Sequence, residues 1–369
     1  FHEHATSQLM AQMLECHDRS AFEVTLLSAG SSDASPMRQR LVAGSEHFEE
    51  LSGLSFEAMA ARIRELGIDL LVDLKGATYD TLLPVLAQRP APLQVTWLGF
   101  PGTTGAPYID YLIGDPVVTP LVDAAHFSEK IAQLPGCYQP NDARRARPQP
   151  STRADWGLAD DALLLCAFHQ SYKISSAVFD QWCALLHELP GSVLWLLQWN
   201  TNVQATLTAA AAARGIGAER LAFAPLLPLA QHLSRLAHAD VYLDAWPCNA
   251  HTTAGEALWV GVPVVTIEGP TFAQRVASSL LRTSGLPELV CSDVEGYRST
   301  VVALAGDPAR RGDLRARLEA GRATNRLFDG ARFALDIEQL YRRMWQRAVA
   351  GDRPEHLVAI DLPPPGSPA

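Results

Sequence analysis

Short apolar runs alternate with segments of helical spacing along most of the chain. A continuous apolar run is typical of a parallel strand covered on both faces, whereas apolar residues three and four apart predict an amphipathic helix. Regular alternation of the two predicts an α/β fold with doubly wound sheets. The predicted strands are 21–27, 68–74, 93–97, 111–113, 163–168, 193–197, 221–223, 239–244 and 264–266, and the predicted helices are 6–16, 56–66, 175–188, 203–214, 229–237, 271–284 and 333–348.

A segment rich in proline and arginine, residues 139–153, divides this pattern into two series of strands and helices. Because 369 residues suit two domains of ordinary size, the chain is predicted to form two. The proline-rich end lacks the apolar residues that packing needs. Residues 351–369 are therefore predicted to form a disordered tail.

Composition and charge narrow the class of protein. The chain is 48% hydrophobic and 19% charged, which argues against wholesale disorder. Its net charge of −10 argues against a nucleic-acid partner, although a local basic pocket for one nucleotide stays compatible. The six cysteines show no metal-ligand spacing, and their usage indicates a reducing, cytoplasmic location. No run is long and apolar enough to span a bilayer, so no membrane partner is predicted.

Residues 248–256 form the most informative loop, between a predicted strand and a short predicted helix. A helix N-terminus binds phosphate because its free N–H groups and the positive end of its dipole point at the anion. His251, Thr252 and Thr253 would add donors there. Thr253 and Glu256 also have capping-box spacing, so spacing alone favours a phosphate site and an ordinary helix cap equally.

The longer segment CNAHTTAGEALWVGVPVVT, residues 248–266, resembles the catalytic region of the O-GlcNAc transferase family. That resemblance extends from residue 1 to about 348 and implies a GT-B fold, with two Rossmann-like domains facing a cleft. Other segments that agree in order and spacing are FHEHATS at 1–7, RPAPLQVTWLGFPGTTG at 89–105, FHQSYK at 168–173 and PLLPLAQHLSR at 225–235. The implied domains are an acceptor-side domain at 1–140, a linker at 141–154, a nucleotide-sugar-binding domain at 155–325, and a C-terminal helix at 326–350 that crosses back onto the first domain.

The resemblance implies an inverting glycosyltransferase that moves N-acetylglucosamine from UDP-GlcNAc to serine and threonine hydroxyls of proteins. No D-x-D motif follows a strand in the manner of metal-dependent transferases. We therefore expect no metal and no cofactor, with lysine, histidine and a helix dipole in the metal's place. Alternatives of the same class are UDP-glucose or GDP-fucose as donor. Alternatives of other classes are a UDP-GlcNAc 2-epimerase-type isomerase and a non-catalytic nucleotide-sugar-binding scaffold.

The family also carries tetratricopeptide repeats ahead of its catalytic region. This chain shows no such repeat and begins at Phe1 without an initiator methionine. From the sequence we expect that an upstream segment supplies the first strand of the first domain. The same segment is expected to carry the repeats that recruit protein acceptors.

On the acceptor side, the resemblance implies that His4 is the catalytic base. An imidazole can take a hydroxyl proton near neutral pH. Ala5 stands where the family has proline. Water or a donor phosphate oxygen is the alternative proton acceptor. Gly102 and Thr103 are implied to lie near the sugar and the acceptor, although the glycines of this segment could instead only shape a turn, most of all Gly105.

On the donor side, Lys173 is implied to meet the diphosphate, where a fixed ammonium stabilises the charge on leaving UDP. Glu256 is implied to hold the ribose hydroxyls, and the helix at 229–237 the uracil and phosphate. Two positions depart from the family, since His169 replaces asparagine and Leu229 replaces a lysine of animal members. The implied catalytic residues are His4 and Lys173, and the implied donor-binding residues are Gln170, Tyr172, Leu227, His232, Arg235, Cys248, His251, Thr252, Thr253 and Glu256.

Overall fold

The computed structural model describes residues 1–30 and 32–361 of the chain. They fall into two compact units. One unit comprises Phe1–Arg144 together with the chain from Arg326 onward, and the other comprises Arg145–Asn325. The division between the units lies inside the proline- and arginine-rich segment.

In the part of the chain that the structure describes, the first unit contains two parallel sheets. Strand β4 and strand β5 are buried along their whole length, as expected for strands covered on both faces. The strands are β1 (Thr25–Ser28) and β2 (His47–Glu50) in one sheet, and β3 (Leu70–Asp73), β4 (Leu93–Thr96), β5 (Tyr111–Gly114) and β6 (Lys130–Gln133) in the other. The helices are α1 (Ala5–Glu15), α2 (Pro36–Ala43), α3 (Phe56–Glu65) and α4 (Leu83–Leu86).

The second unit contains a doubly wound sheet of six described strands, all of which pair in parallel. Its order, β12-β11-β10-β7-β8-β9, is that of the Rossmann fold. The strands are β7 (Leu163–Ala167), β8 (Ser192–Leu197), β9 (Leu221–Ala224), β10 (Val241–Leu243), β11 (Val264–Ile267) and β12 (Val290–Cys291). The helices are α5 (Ser176–Glu188), α6 (Thr201–Ala212), α7 (Leu229–Leu236), α8 (Thr252–Trp259), α9 (Val276–Thr283), α10 (Val294–Gly306) and α11 (Pro308–Gly321).

The last helix, α12 (Gly330–Ala350), belongs to the first unit. It buries Ile337, Leu340 and Met344 on one face and packs against α1. At this contact the buried carboxylate of Glu338 lies 2.9 Å from the ring of His17. The amphipathic pattern of the sequence thus places this helix on the first unit through both apolar and polar contacts.

The prediction of a disordered tail from residue 351 is wrong for the described part. Leu357 is buried and pairs with Ala132 of β6 in a parallel bridge. The carboxylate of Asp361 accepts hydrogen bonds of 2.8 Å and 2.7 Å from Arg326 and Arg332. These backbone and ionic contacts hold a segment that has few apolar residues. Residues 362–369 lie outside the described part of the chain.

Element positions follow the prediction closely where apolar runs are strong, and fail where they are weak. Strand β1 begins at Thr25 instead of residue 21. The helix predicted over 271–284 starts later, because a short 3-10 turn precedes α9. The elements that the pattern missed are α2, β2, α4, β6, α10, α11 and β12. Among the described residues, none of the helices combines the length and hydropathy that crossing a bilayer requires.

Candidate functional site

The predicted donor-side residues of the second unit lie near the point of its sheet where the order of the strands reverses. Strands β7 and β10 are neighbours, β8 and β9 continue from β7 towards one edge, and β11 and β12 continue from β10 towards the other. Ligands of doubly wound sheets bind at such a switch point, outside the carboxyl ends of the strands. The segment 168–173 follows β7, and the segment 244–252 follows β10 into α8. The topology therefore brings both segments to the same end of the sheet.

A buried carboxylate fixes the loop after β10. Asp244 follows the strand directly and is fully shielded from solvent. Its Oδ1 accepts from the N–H groups of Ala245 at 2.8 Å and Ala250 at 2.6 Å, and its Oδ2 accepts from the Thr266 hydroxyl. Burial raises the pKa of Asp244 to about 6, since it opposes the charged form more strongly than these hydrogen bonds favour it. One side chain thus ties both ends of the loop to strand β11.

Lys173 reaches this loop from the other side of the switch point. It lies in the short 3-10 turn Ser171–Lys173, and its ammonium donates a hydrogen bond of 2.5 Å to the carbonyl of Asn249. Asn249 is itself buried, donating through its backbone N–H to Ala273 and through its side-chain amide to Ala245. The cation is therefore held beside the loop that precedes α8.

The spacing of Thr253 and Glu256 left a capping box open, and the structure does not form one. Helix α8 begins at Thr252 with His251 as its N-cap residue, and no side chain caps it. Thr253 already lies inside the helix, where its Oγ1 is 3.1 Å from the hydroxyl of Tyr242. The carboxylate of Glu256 instead lies 3.4 Å from the ring of His232. The first N–H groups of α8 are consequently left without a side-chain cap.

Two imidazoles flank Lys173, and both are neutral at physiological pH. Burial lowers the pKa of His169 and that of His251 to about 3, and the nearby charge of Lys173 acts in the same direction on each. His169 bonds through Nε2 to the carbonyl of Leu243 at 2.7 Å, which leaves its Nδ1 without a partner. The positive charge of this part of the site is therefore concentrated on Lys173.

A second polar group lies on α7. The guanidinium of Arg235 is almost fully buried, donates to the carbonyl of Pro225 and to Nδ1 of His232, and lies 5.0 Å from the Phe168 ring centroid. Burial lowers the pKa of Arg235 to about 10, so the group stays charged. Because Nδ1 of His232 accepts from an arginine, the proton of the neutral ring is on Nε2, which faces Glu256.

The remaining donor-side predictions fall on loops of the same unit. Gln170 and Tyr172 are exposed in the turn after β7, and Tyr172 keeps 77% of its surface in solvent. Leu227 is half-buried between β9 and α7, and Cys248 is half-buried in the loop that Asp244 holds. The structure places all of the predicted donor-side residues in the second unit.

In the first unit, Thr103 and Thr104 follow β4 and bind one buried carboxylate. Glu129 accepts from the hydroxyl of Thr103 at 2.6 Å and from the backbone N–H of Thr104 at 2.7 Å. Gly105 needs its left-handed φ of 69°, which supports a turn-shaping role. At Gly102 an added Cβ would meet only the Phe100 ring, at 3.4 Å, so the fold itself barely requires glycine there.

His4 is the exposed N-cap residue of α1. Its Nδ1 accepts from the N–H of Thr6 at 3.2 Å, so the proton of the neutral ring is on Nε2. Although the residue is exposed as a whole, partial desolvation of the ring lowers the pKa of His4, and the charges of His2 and Lys75 lower it further. The ring is thus a neutral imidazole whose Nδ1 lone pair is already engaged.

Comparison with known proteins decides the family. The model of glycosyl transferase family 41 matches residues 1–149 and 141–337. The chain belongs to glycosyl transferase family 41. It is 35% identical over 98% of its length to the Arabidopsis thaliana protein named probable UDP-N-acetylglucosamine–peptide N-acetylglucosaminyltransferase SEC, and 29% identical over 97% of its length to the Caenorhabditis elegans UDP-N-acetylglucosamine–peptide N-acetylglucosaminyltransferase. It spans 38% and 41% of those two relatives.

Solved structures agree with this family 41 assignment. A mutant of the Thermobaculum terrenum O-GlcNAc transferase matches 95% of the chain with a TM-score of 0.86 and 34% identity, over 66% of that structure. Sucrose-phosphate synthase from Thermosynechococcus elongatus matches 91% of the chain and 92% of its own, with a TM-score of 0.63 at 15% identity, which bears on the fold alone. The GT-B fold predicted from the sequence is confirmed.

Three residues that hold the site together in this family 41 chain were not predicted from the sequence. They are Asp244, Asn249 and Glu129, each buried and each bonded to the backbone of a loop. Asp244 had a visible signal, since an acidic residue follows the apolar run Val241–Leu243 directly. Glu129 had none, because its partners lie 25 and 26 positions away in the sequence. Within residues 1–30 and 32–361, no group of three or more His, Cys, Asp and Glu side chains is arranged to hold a metal ion.

We predict that His169 makes the stability of the protein depend on pH. A histidine with a pKa of about 3 in the folded state and about 6.5 when unfolded destabilises the fold as pH falls through this interval. The free energy of unfolding should therefore drop by about 2 kcal/mol more for wild type than for His169→Asn between pH 7.5 and pH 5. Asp244, whose raised pKa acts in the opposite direction, contributes equally to both proteins.

Urea unfolding at the two pH values measures this difference, and His187→Asn is the matched control. His187 is exposed on α5, so its loss should leave the pH dependence unchanged. Equal pH dependence of wild type and His169→Asn would contradict a buried neutral imidazole at this position.

Proposed function

We propose that this chain carries the catalytic region of an inverting, metal-independent transferase that moves N-acetylglucosamine from UDP-GlcNAc to serine and threonine hydroxyls of proteins. One observation carries the proposal. At the switch point of the sheet, Lys173 donates a hydrogen bond to the loop that leads into the uncapped N-terminus of α8. Membership of family 41 and the printed names of its relatives support the donor and the acceptor. The donor-binding residues and their roles belong to the proposal as well.

The diphosphate would bind between Lys173 and the start of α8. Helix N–H groups without a cap and the positive end of the helix dipole favour an anion there. Thr252 and Thr253 add hydroxyl groups at the first two positions of the helix. As the glycosidic bond breaks, negative charge grows on the leaving UDP, and a preorganised cation stabilises that charge more than it stabilises the bound donor. The same groups would make a divalent metal unnecessary.

The nucleoside would lie towards α7 and Glu256. The carboxylate has two oxygens, so it can keep its contact with His232 and still accept from ribose hydroxyls. Arg235 is buried and bonded to Pro225 and His232, and we assign it the positioning of His232 and of the loop with Leu227. Gln170, Tyr172 and Cys248 would line the same donor site.

On the acceptor side we propose His4, Gly102 and Thr103. Gly102 leaves room for a sugar or a peptide to approach the backbone, and Glu129 holds Thr103 in place. His4 can act as base through Nδ1 only after its hydrogen bond with Thr6 opens. A donor phosphate oxygen or water stays the alternative proton acceptor. The chain spans 38% of the plant relative. We also propose a tetratricopeptide-repeat segment as a partner and a cytoplasmic location.

Incubation of the protein with UDP-GlcNAc and a peptide acceptor tests the function. Release of UDP with labelling of the peptide supports the transferase. Formation of N-acetylmannosamine would support the isomerase alternative, and no reaction with retained binding would support the scaffold. Parallel reactions with UDP-glucose and GDP-fucose test the identity of the donor.

We predict that Lys173→Ala lowers the turnover rate at saturating donor by roughly 10²–10³-fold, because one preorganised charge at the leaving group is lost. Lys130→Ala, which removes an exposed lysine on β6, is the matched control and should keep the wild-type rate. The thermal midpoint checks that both variants are folded. A Lys173→Ala rate above about half that of wild type would overturn the role of Lys173.

We predict that transfer activity survives exhaustive dialysis against EDTA, since the lysine and the helix terminus occupy the position where a metal would act. The initial rate is measured before dialysis, after dialysis, and after adding back magnesium or manganese. Activity that disappears with EDTA and returns with either ion would show that the reaction requires a metal.

We predict that His4→Asn and His4→Ala lower the rate to a similar extent while leaving UDP affinity within about threefold, if His4 is the base. Asparagine keeps an N-cap acceptor for Thr6, whereas alanine removes both the cap and the base. A rate that recovers with His4→Asn would assign His4 a capping role only. UDP affinity is measured by titration calorimetry.

A further inference from the structure

The peptide group between Asn249 and Ala250 lies between a buried carboxylate and the ammonium of Lys173. Its N–H donates to Oδ1 of Asp244 at 2.6 Å, and its carbonyl accepts from Lys173. The peptide is trans, so it is planar and its N–H and C=O point in opposite directions. The hydrogen bond that Asp244 makes with the N–H therefore fixes the direction in which the carbonyl points to Lys173.

The side chain of Asn249 holds the same peptide from the loop and from the start of α9. Its amide nitrogen donates to the carbonyl of Ala245 at 3.0 Å, and its Oδ1 accepts from the N–H of Ala277 at 3.4 Å. The backbone N–H of Asn249 donates to the carbonyl of Ala273 at 2.9 Å. The residue is fully buried. An amide supplies both a donor and an acceptor, which neither a carboxylate nor a methyl group does.

Lys173 depends on this carbonyl for a fixed position. Its ammonium ends a flexible four-carbon stem, which adopts many rotamers unless a partner restrains it. The partner is 76 positions away in the sequence, on the loop after β10. An ammonium has three N–H groups, so two stay available to a ligand when the carbonyl holds one. The restraint thus fixes the cation and leaves it able to bind phosphate oxygens.

We propose that Asn249 and Asp244 are positioning residues of the transfer reaction, which act on the leaving diphosphate through the peptide between Asn249 and Ala250 and through Lys173. Neither side chain touches the ligand. A cation contributes most to catalysis when it is in place before charge develops on the leaving group. Loss of the carbonyl's orientation should therefore lower turnover more than it weakens binding of the donor. This inference rests on the proposed function of the site.

A double-mutant cycle separates this positioning role from a merely structural one. Turnover at saturating UDP-GlcNAc is measured for Asn249→Ala in the wild-type protein and in the Lys173→Ala protein. In the wild-type protein the substitution should lower turnover by roughly ten- to a hundredfold, with KM within about threefold, because it displaces the cation. In the Lys173→Ala protein it should change turnover by less than about twofold, because the residue that it positions is gone.

Equal losses in the two proteins would overturn the proposal, since a loop that merely loses its structure lowers both rates alike. Asn202→Ala, at an exposed position of α6, is the matched control and should keep the wild-type rate. The thermal midpoint of each variant shows whether it is folded. If Asn249→Ala does not fold, Asn249→Asp replaces it in the same cycle, because it keeps the acceptor for Ala277 and loses the donor to Ala245.

A comparison at Asp244 tests the route through the peptide. Asp244→Asn keeps an oxygen that can accept from the N–H of Ala250, whereas Asp244→Ala removes it. Asp244→Asn should turn over about tenfold faster than Asp244→Ala. Equal rates of the two folded variants would show that the charge of Asp244, and not the direction of the peptide, acts on Lys173, which would overturn this route.

The same measurements distinguish failure of this inference from failure of the proposed function. If the wild-type protein transfers N-acetylglucosamine and Lys173→Ala is slow, but the effects of Lys173→Ala and Asn249→Ala multiply, the positioning inference fails and the proposed function stands. If the wild-type protein neither binds UDP nor transfers the sugar, the proposed function itself fails. A Lys173→Ala rate equal to that of wild type would overturn both the role of Lys173 and its positioning.

Discussion

Asp244 holds the loop on which the predicted donor-side residues of the second unit depend. Its two oxygens join the start of the loop, the end of the loop and the neighbouring strand β11. The loop in turn supplies the carbonyl that Lys173 binds and the residue that begins α8. This carboxylate, together with the hydrogen bonds of Asn249, fixes the loop between Lys173 and His251. A buried carboxylate is tolerated here because all of its partners are hydrogen-bond donors.

The electrostatics of the site follow from burial. His169 and His251 stay neutral because their rings are desolvated and the charge of Lys173 lies nearby. Lys173 and the N-terminus of α8 lie at the same end of the sheet. Two imidazole nitrogens there, Nδ1 of His169 and Nε2 of His251, have no hydrogen-bond partner. Such nitrogens are costly to bury without a partner, so a ligand that supplies partners would be bound more tightly. The site therefore offers a charge and hydrogen-bonding groups to a ligand.

The first unit holds its loop after β4 by the same physical means. Glu129 joins Thr103 and Thr104 across a long sequence separation, as Asp244 joins the ends of its own loop. In both cases a buried carboxylate orders a polar loop at the carboxyl end of a parallel strand. His4 differs, since it is exposed and caps a helix. His4 can act as the proposed base only if the acceptor substrate displaces its hydrogen bond with Thr6.

The sequence by itself determined the strands and helices whose apolar runs are strong, the Rossmann-like character of the second unit, and the family. It also singled out the segments after β7 and β10, which meet at one end of the sheet. These features depend on local patterns, and a period or a motif can be recognised from neighbouring residues. Only the tertiary structure decided that α8 begins at Thr252 instead of being capped by Thr253, that Leu357 is buried, and that Glu256 meets His232. It also decided the burial that keeps His251 neutral and the bonding of Asp244 and Glu129. These depend on which residues distant in sequence come into contact and on how much water they exclude, and neither is encoded in the spacing of a single segment.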